Sequence, residues 1–367
     1  MTKFHYAADD VDEPGMLVRL SRADTSEVLG AKKTQWTSIP RSMNRGCCPC
    51  HAGTKAQHLF RASDPISGDR FEILRCTDCG LARTAPQPSP DELDRYYPSS
   101  YYGVSKRYRL NLDRSLSLVN RARIRHIERM TGGPGRVLDV GCGPGWFLYH
   151  MRRRGWETRG TERSVSAAHH ARDVLNLDVR AQNLDELAAE GVSYDAVVLW
   201  HVVEHMHEPA TTLHDIARVL CPGGVLMIAV PNFGSPEARF GKAGWFHLDI
   251  PRHLFHFTSA TLTKLLADAG LERREIVHGA PEYDVFSFVQ TLQNSMGFPF
   301  NLLYDIVRRR ETRLAHPREC SLVSIVAVTF AVPLTQIGLL WAPVAAALGC
   351  SATLTIYAQR PPAVGSD

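Results

Sequence analysis

The stretch RVLDVGCGPGWFL, residues 136–148, decides the fold. Val137, Leu138 and Val140 form an apolar run of strand type, interrupted only by Asp139. The run stops at three glycines, Gly141, Gly143 and Gly145, and a helix-like segment follows. A buried strand, a turn stripped of side chains and a helix form the arrangement in which backbone can touch a ligand. The dinucleotide version of this turn reads G-x-G-x-x-G and seats a pyrophosphate on the helix N-terminus. Here the spacing is G-x-G-x-G and the strand carries an acidic residue next to its end. A carboxylate facing a pyrophosphate is repulsive, whereas it suits a cationic ligand.

Outward from this turn, strand-like and helix-like segments alternate. VLDV is followed by a helix through YHMRRRG, WETRGTE by SVSAAHHARDVLN, and DVRAQNL by a short helix. YDAVVLW precedes a helix through ATTLHDIARVL, and GGVLMIAVPN precedes TSATLTKLLADAG and LERREIVHG. The pattern predicts an α/β protein, a parallel sheet covered on both faces, with ligands at the carboxyl ends of its strands. Glu162, at the end of the second strand, can accept both hydroxyls of a ribose. Taken alone it reads as a charge at a helix N-terminus. Together with Asp139 it points to a positively charged nucleoside, and S-adenosylmethionine, with its sulfonium and ammonium, is one.

VLDVGCGPG, GTERS, YDAVVLWHVVEH and LCPGGVLMIAVPN resemble the class I S-adenosylmethionine-dependent methyltransferases. The likeness covers about residues 110–280. It implies an enzyme with a Rossmann-like seven-stranded sheet whose seventh strand is antiparallel, and ATLTIYAQ (352–359) has the β-branched, apolar character for that strand. By the same resemblance, Asp139, Gly141 and Gly143 line the methionine part of the cofactor and Glu162 holds the ribose. Gly145 completes the loop, Asn183 takes the place of an acidic residue that reaches the adenine amino group, and Trp200 borders the cofactor.

WHVVEHMHEP (200–209) follows the fourth strand and WFHLDIPRHLFHFT (245–258) follows the fifth, so both open on the ligand edge. They bring His201, Glu204, His205, His247, Asp249, Arg252, His253 and His256. Methyl transfer from an activated sulfonium needs alignment above all. What remains is removal of a proton from the acceptor, for which histidine is the usual base. The order of preference is His201, His253, His205. At least half of these histidines are expected only to cap helices or pair with Glu204 and Asp249. H-x-x-E-H also resembles the E-x-x-E-H segment of ubiquinone-type O-methyltransferases and of methyltransferases acting on small-RNA ends, some of which bind a divalent metal there. His201 stands where those proteins have Glu.

The chain has 367 residues, 44% hydrophobic and 22% charged, enough for a catalytic domain and an accessory module. A net charge of +4 does not by itself imply nucleic acid. The nine cysteines include Cys47-x-x-Cys50 and Cys76-x-x-Cys79. Two such knuckles suit a tetrahedral structural zinc in a reducing compartment, the alternative being a redox C-x-x-C. A similar zinc ribbon, followed by CGL, a proline-rich linker and paired tyrosines, precedes the catalytic domain in methyltransferases of bacterial sugar and polysaccharide pathways. Here the matching residues are Cys79-Gly80-Leu81 and Tyr96-Tyr97.

From Cys320 to Gln359 there is no charged residue. Pro333 and Pro343 break SLVSIVAVTFAVPLTQIGLLWAPVAAALG (321–349) into an apolar helical hairpin, preceded by Arg308, Arg309, Arg310, Arg313 and Arg318. Shallow seating in one leaflet of a membrane is one reading; a buried hairpin or a homodimer contact is the other.

The expected organisation is a flexible arm (1–44), a zinc ribbon (45–85), a linker with an amphipathic helix (86–135), the methyltransferase domain (136–320), the apolar hairpin (321–350) and the last strand with a tail (351–367). The expected activity is O-methylation of a sugar, glycan or other small metabolite. C-methylation of a nucleotide sugar and RNA methylation through the zinc ribbon are the alternatives. The N-terminus lacks a signal-peptide pattern, so a cytoplasmic protein is expected, peripheral on the inner membrane face if the apolar segment docks there; nucleic acid is not an expected partner.

Overall fold

A computed structural model describes residues 47–48, 51–52, 55–97, 113–182, 184–307 and 317–362, which lie in one compact unit, Ser42–Asp367. Seven strands form the main sheet: β1 (Arg136–Val140), β2 (Glu157–Thr161), β3 (Asp178–Arg180), β4 (Tyr194–Trp200), β5 (Leu220–Pro231), β6 (Glu272–His278) and β7 (Thr353–Gln359). Their order is β6-β7-β5-β4-β1-β2-β3. β1 to β5 pair in parallel, while β7 runs antiparallel to both β5 and β6. The antiparallel last strand is the one expected from ATLTIYAQ.

Alternate side chains of the central strands enter opposite cores, as the pleat requires. Leu138, Val140, Val197 and Leu199 pack with Leu213, Ile216, Leu262 and Leu266 on one face. Val137, Ala196 and Val198 pack with Ile124, Ile127, Leu148 and Met151 on the other. The amphipathic helix expected within 86–135 is α1 (Asp113–Thr131), with Ile124 and Ile127 buried on it. The strand order reverses direction between β1 and β4, and this switch point is where a crevice opens at the strands' carboxyl ends.

A second, antiparallel sheet comprises Ala56–Ser63, Arg70–Cys76, Ala82–Ala85 and Phe255–His256. Its last strand comes from the segment after β5, so the N-terminal module and the catalytic region share one sheet. Buried Arg252 bonds this module through Asp64 (2.9 Å) and the Tyr96 carbonyl (3.0 Å). Cys76 and Cys79 lie at the turn after Arg70–Cys76, closed by Gly80 N–H to the Cys76 carbonyl (3.1 Å). Cys47 belongs to a two-residue strand whose side chains lie outside the described residues, as do Cys50 and the arm over 1–44.

The tail differs from expectation. Residues Pro317–Ala347 form one continuous helix, here α3, with Pro333 and Pro343 inside it, rather than a hairpin. A proline keeps helical φ and removes one hydrogen bond. That loss is tolerated because α3 is supported from the side by α2 (Pro281–Ser295). Gln293 Nε2 donates to the Ala327 carbonyl at 2.7 Å. Val285 and Phe288 lie where a side chain at Gly338 would be.

Candidate functional site

The glycine turn leaves β1 through backbone bonds to β2: Gly141 and Cys142 N–H both donate to the Thr161 carbonyl, at 2.8 and 3.0 Å. Gly141, Gly143 and Gly145 all have positive φ, at 71°, 56° and 85°. Their surroundings differ. A β-carbon at Gly141 would lie 2.7 Å from Val202, and one at Gly145 would lie 2.7 Å from Leu177 and 2.9 Å from Ala171. At Gly143 nothing lies within 4 Å. Two of the three glycines are thus required by packing, while at Gly143 the place of a β-carbon is open among the described residues. The Gly141–Val202 contact also seats the segment after β4 directly on the turn.

Glu162 braces the turn. Its carboxylate accepts Gly143 N–H at 2.8 Å and Ser164 N–H at 2.7 Å, one on each oxygen. Asp139 is buried at the end of β1. Burial first, then the negative charge of Glu162, push its carboxyl up to about 8. A positive ligand group placed here would restore the ionised form. Trp200, at the end of β4, has its ring under the Arg123 guanidinium, 3.6 Å from the centroid. Asn183 lies outside the described residues.

Beyond β4 the chain turns at His201, whose φ of 55° is unusual for a residue with a β-carbon. His201 N–H donates to the Ala229 carbonyl at 3.0 Å, fixing that turn on β5. The short 3₁₀ turn Val203–His205 then points Glu204 inward. Leu254 N–H donates to the Glu204 carbonyl at 2.8 Å, which pulls the second histidine segment onto the first.

One ligand atom from each of Glu204, His205 and His253 lies within 4.8 Å of the other two. The hydrogen bonds fix the histidine tautomers. His205 Nδ1 lies 3.0 Å from the Arg252 carbonyl and His253 Nδ1 lies 2.9 Å from the His247 carbonyl. A carbonyl only accepts, so both Nδ1 atoms carry the proton and both Nε2 atoms keep a lone pair. His201 Nδ1 contacts Glu204 Oε1 at 3.2 Å, and its Nε2 is buried without a hydrogen-bond partner among the described residues. Tyr97 Oη lies 3.1 Å from His205 Nδ1. Burial alone would raise Glu204. The His201 hydrogen bond, and the charges that His201, His205 and His253 carry when protonated, outweigh it and hold the carboxyl at about 2. Glu204 Oε2 still meets no hydrogen-bond partner among the described residues.

An orphaned carboxylate oxygen beside imidazole lone pairs is a donor set that fits a divalent metal. All three histidines named as candidate bases therefore converge on Glu204, and His201 is the one flanked by an aromatic niche. The His247 ring lies parallel to it at 6.5 Å and the Tyr283 ring edge-on at 5.3 Å. Burial, then the charges of His201 and His253, push His247 down to about 3, so it is neutral near pH 7. Tyr283, on α2, was not singled out by sequence. No local spacing marks a residue that far along the chain as part of the edge.

The family described as a methyltransferase domain matches residues 111–276. A ubiquinone biosynthesis O-methyltransferase of Hahella chejuensis is 35% identical over 133 residues, 34% of this chain and 56% of that protein. One of Xanthomonas oryzae pv. oryzae is 32% identical over 174 residues, 44% of this chain and 73% of that protein. The chain belongs to the class I S-adenosylmethionine-dependent methyltransferases. It spans little more than half the length of the Hahella relative. A solved S-adenosylmethionine-dependent methyltransferase of Archaeoglobus fulgidus covers 66% of this chain and 93% of its own, with 17% identity and a TM-score of 0.39.

For a class I methyltransferase, the residues at the β1–β2 rim fit the cofactor. The open face of Gly143 admits close approach of a ligand, Glu162 is held ready at the next strand, and buried Asp139 gains a counter-charge from a cation. Gly145 also serves the scaffold of this site, since the place of a β-carbon there is filled by Leu177 and Ala171.

Proposed function

We infer that the chain transfers the methyl group of S-adenosylmethionine to a hydroxyl oxygen of a small acceptor, a sugar or glycan unit or another small metabolite. The observation that carries this reading is the Glu204–His205–His253 cluster, seated with His201 beside the glycine turn. The name of the curated relatives supports oxygen as the atom methylated; their acceptor is not carried over.

S-adenosylmethionine supplies an activated methyl carbon: the C–S bond breaks, a C–O bond forms, and S-adenosylhomocysteine leaves. Asp139 and Glu162 hold the cofactor's cationic and ribose ends, and the Gly143 backbone lets it approach. Glu204, His205 and His253 would hold a divalent metal. When bound, such an ion acidifies a coordinated hydroxyl. His201, with Nε2 free and Nδ1 tied to Glu204, is placed to take the acceptor's proton. His247, Tyr283 and Trp200 border the niche and orient the acceptor ring or chain. In the N-terminal module, Cys76 and Cys79 are proposed to hold a structural zinc with Cys47 and Cys50.

The test is transfer of labelled methyl by the full chain to sugar nucleotides, glycan extracts, phenolic hydroxyls and RNA, with and without chelator. Ether products, and a rate lost on chelation and restored by one divalent ion, are expected. Label on carbon or on RNA, or a rate indifferent to verified metal removal, would overturn the corresponding part of the reading.

A further inference from the structure

The C-terminal helix α3 is built inside out. Its fully buried side chains are small, Ala327, Ala331, Gly338 and Ala345, with Leu334 the large residue packed inward beside Phe286 and Val289 of α2. Its other large aliphatic side chains point away from the protein. Leu340 is 75% exposed and Leu322 66%, and Ile325, Val332, Leu339 and Leu348 are likewise exposed. In a water-soluble helix the large apolar residues form the buried stripe. Small residues at the helix contact with large ones outward is the arrangement of a helix facing lipid.

Three further observations favour a lipid surface over a protein partner. The apolar stretch Leu322–Ala347 has 26 residues with a mean hydropathy of 2.0, about 39 Å of helix at about 1.5 Å per residue. A protein interface of that extent carries a polar rim. Here no charged residue occurs anywhere between Cys320 and Gln359. The exposed apolar surface also continues beyond the helix: Met296 and Phe300 are exposed, and Phe298 packs on Phe330 at 6.0 Å. Finally, five arginines between positions 308 and 318 precede this stretch in the sequence, which suits an anionic headgroup layer.

The tethering of α3 decides how it meets the lipid. Ala327 is bonded to Gln293 near the end of α2, and Ala346 approaches Gly279 just before its start. After Ala347 the chain turns into β7, which lies between β5 and the edge strand β6. Two points along α3, Ala327 and Ala346, are thus held on the same side of the molecule, beside a helix with buried Gln290, Thr291 and Gln293. A span would drag these polar groups and the sheet edge into hydrocarbon. We propose that the exposed face of α3 lies flat in the interfacial layer of an anionic lipid bilayer and docks this methyltransferase there without crossing it.

The proposal is tested by co-sedimentation of the full chain with phosphatidylcholine vesicles and with mixed phosphatidylcholine–phosphatidylglycerol vesicles. Binding to the mixed vesicles is expected, and the Ile325→Glu/Leu340→Glu pair should lower the bound fraction more than about tenfold. Both positions are exposed, so circular dichroism and Tm should stay at wild-type values; if that pair fails to fold, Ile325→Ser/Leu340→Ser takes its place. Wild-type protein that stays in the supernatant overturns the proposal. So does full binding by a folded double variant. A dimer in sedimentation velocity that the double variant dissociates, with no vesicle binding, assigns the face to a second copy of the chain instead.

Discussion

Asp139 and Glu204 are both buried carboxyl groups, one at the end of β1 and the other just beyond β4, and they settle in opposite states. Burial pushes each toward the neutral acid. At Asp139 the negative Glu162 adds to that push, and the group rises to about 8. At Glu204 a hydrogen bond from His201, and the charges the surrounding histidines carry when protonated, reverse it, and the group falls to about 2. Desolvation therefore does not decide the charge of a buried carboxyl; the groups packed around it do. The β1 rim awaits positive charge from a ligand. The histidine edge has gathered its own donors and keeps one carboxylate oxygen over for an ion.

The largest effect is expected from removing the charge at the second site. Glu204→Gln should lower turnover about 100-fold or more while changing S-adenosylmethionine affinity less than about threefold. Initial rates and calorimetry on the same preparation check both halves. Equal losses in rate and affinity would merge the two sites into one.

Asp139 gives the opposite split. Below about pH 8 the free protein holds this group as the acid, and a bound cation favours the carboxylate. Cofactor binding near pH 7 should thus release about one proton, read as a dependence of the binding enthalpy on buffer ionisation enthalpy. Asp139→Asn should abolish that release and weaken affinity about 10- to 100-fold. Undiminished proton release in the variant would place the proton elsewhere and break the contrast.

The histidines sharpen the comparison through stability. Burial, then the charge of His253, press buried His256 down to about 3. Its Nε2 lies 3.0 Å from the Thr84 hydroxyl, which itself donates to the His253 carbonyl, so Nε2 is the donor and carries the ring proton. The folded state stays neutral while the unfolded chain takes up a proton below its ordinary value of 6.5. Stability is then full above that value and falls with pH, by about 2 kcal/mol at about pH 5 for this group. Urea unfolding of wild type and His256→Gln at about pH 7.5 and about pH 5 checks the slope, which should be shallower in the variant.

The glycines give the smallest effect. Gly145→Ala should cost about 1–2 kcal/mol of stability, because Leu177 and Ala171 occupy the space. Gly143→Ala should cost about 1 kcal/mol, the left-handed strain alone, and act mainly on cofactor affinity. Thermal unfolding beside calorimetry separates the two.

Much of the cofactor rim was legible in the sequence. A strand, a glycine turn and the acidic end of the next strand lie within a short stretch, and each step follows local rules of pattern and backbone freedom. The antiparallel last strand was legible for the same reason, as a β-branched run after a long apolar segment. Pattern alone misjudged α3, because two prolines read as breaks until α2 supports the helix from the side. It also gave no sign that packing requires two of the three glycines, Gly141 and Gly145.

The sequence by itself determined the alternation of strands and helices, the bare turn and the charges at its rim, since these depend on residues close together in the chain. Only the tertiary structure decided which histidines converge on Glu204, that Tyr283 joins them, that Arg252 reaches Asp64 and that α3 turns its large side chains outward. Those facts depend on contacts between residues far apart in the chain, whose closeness follows from the closure of the sheet and from no local pattern.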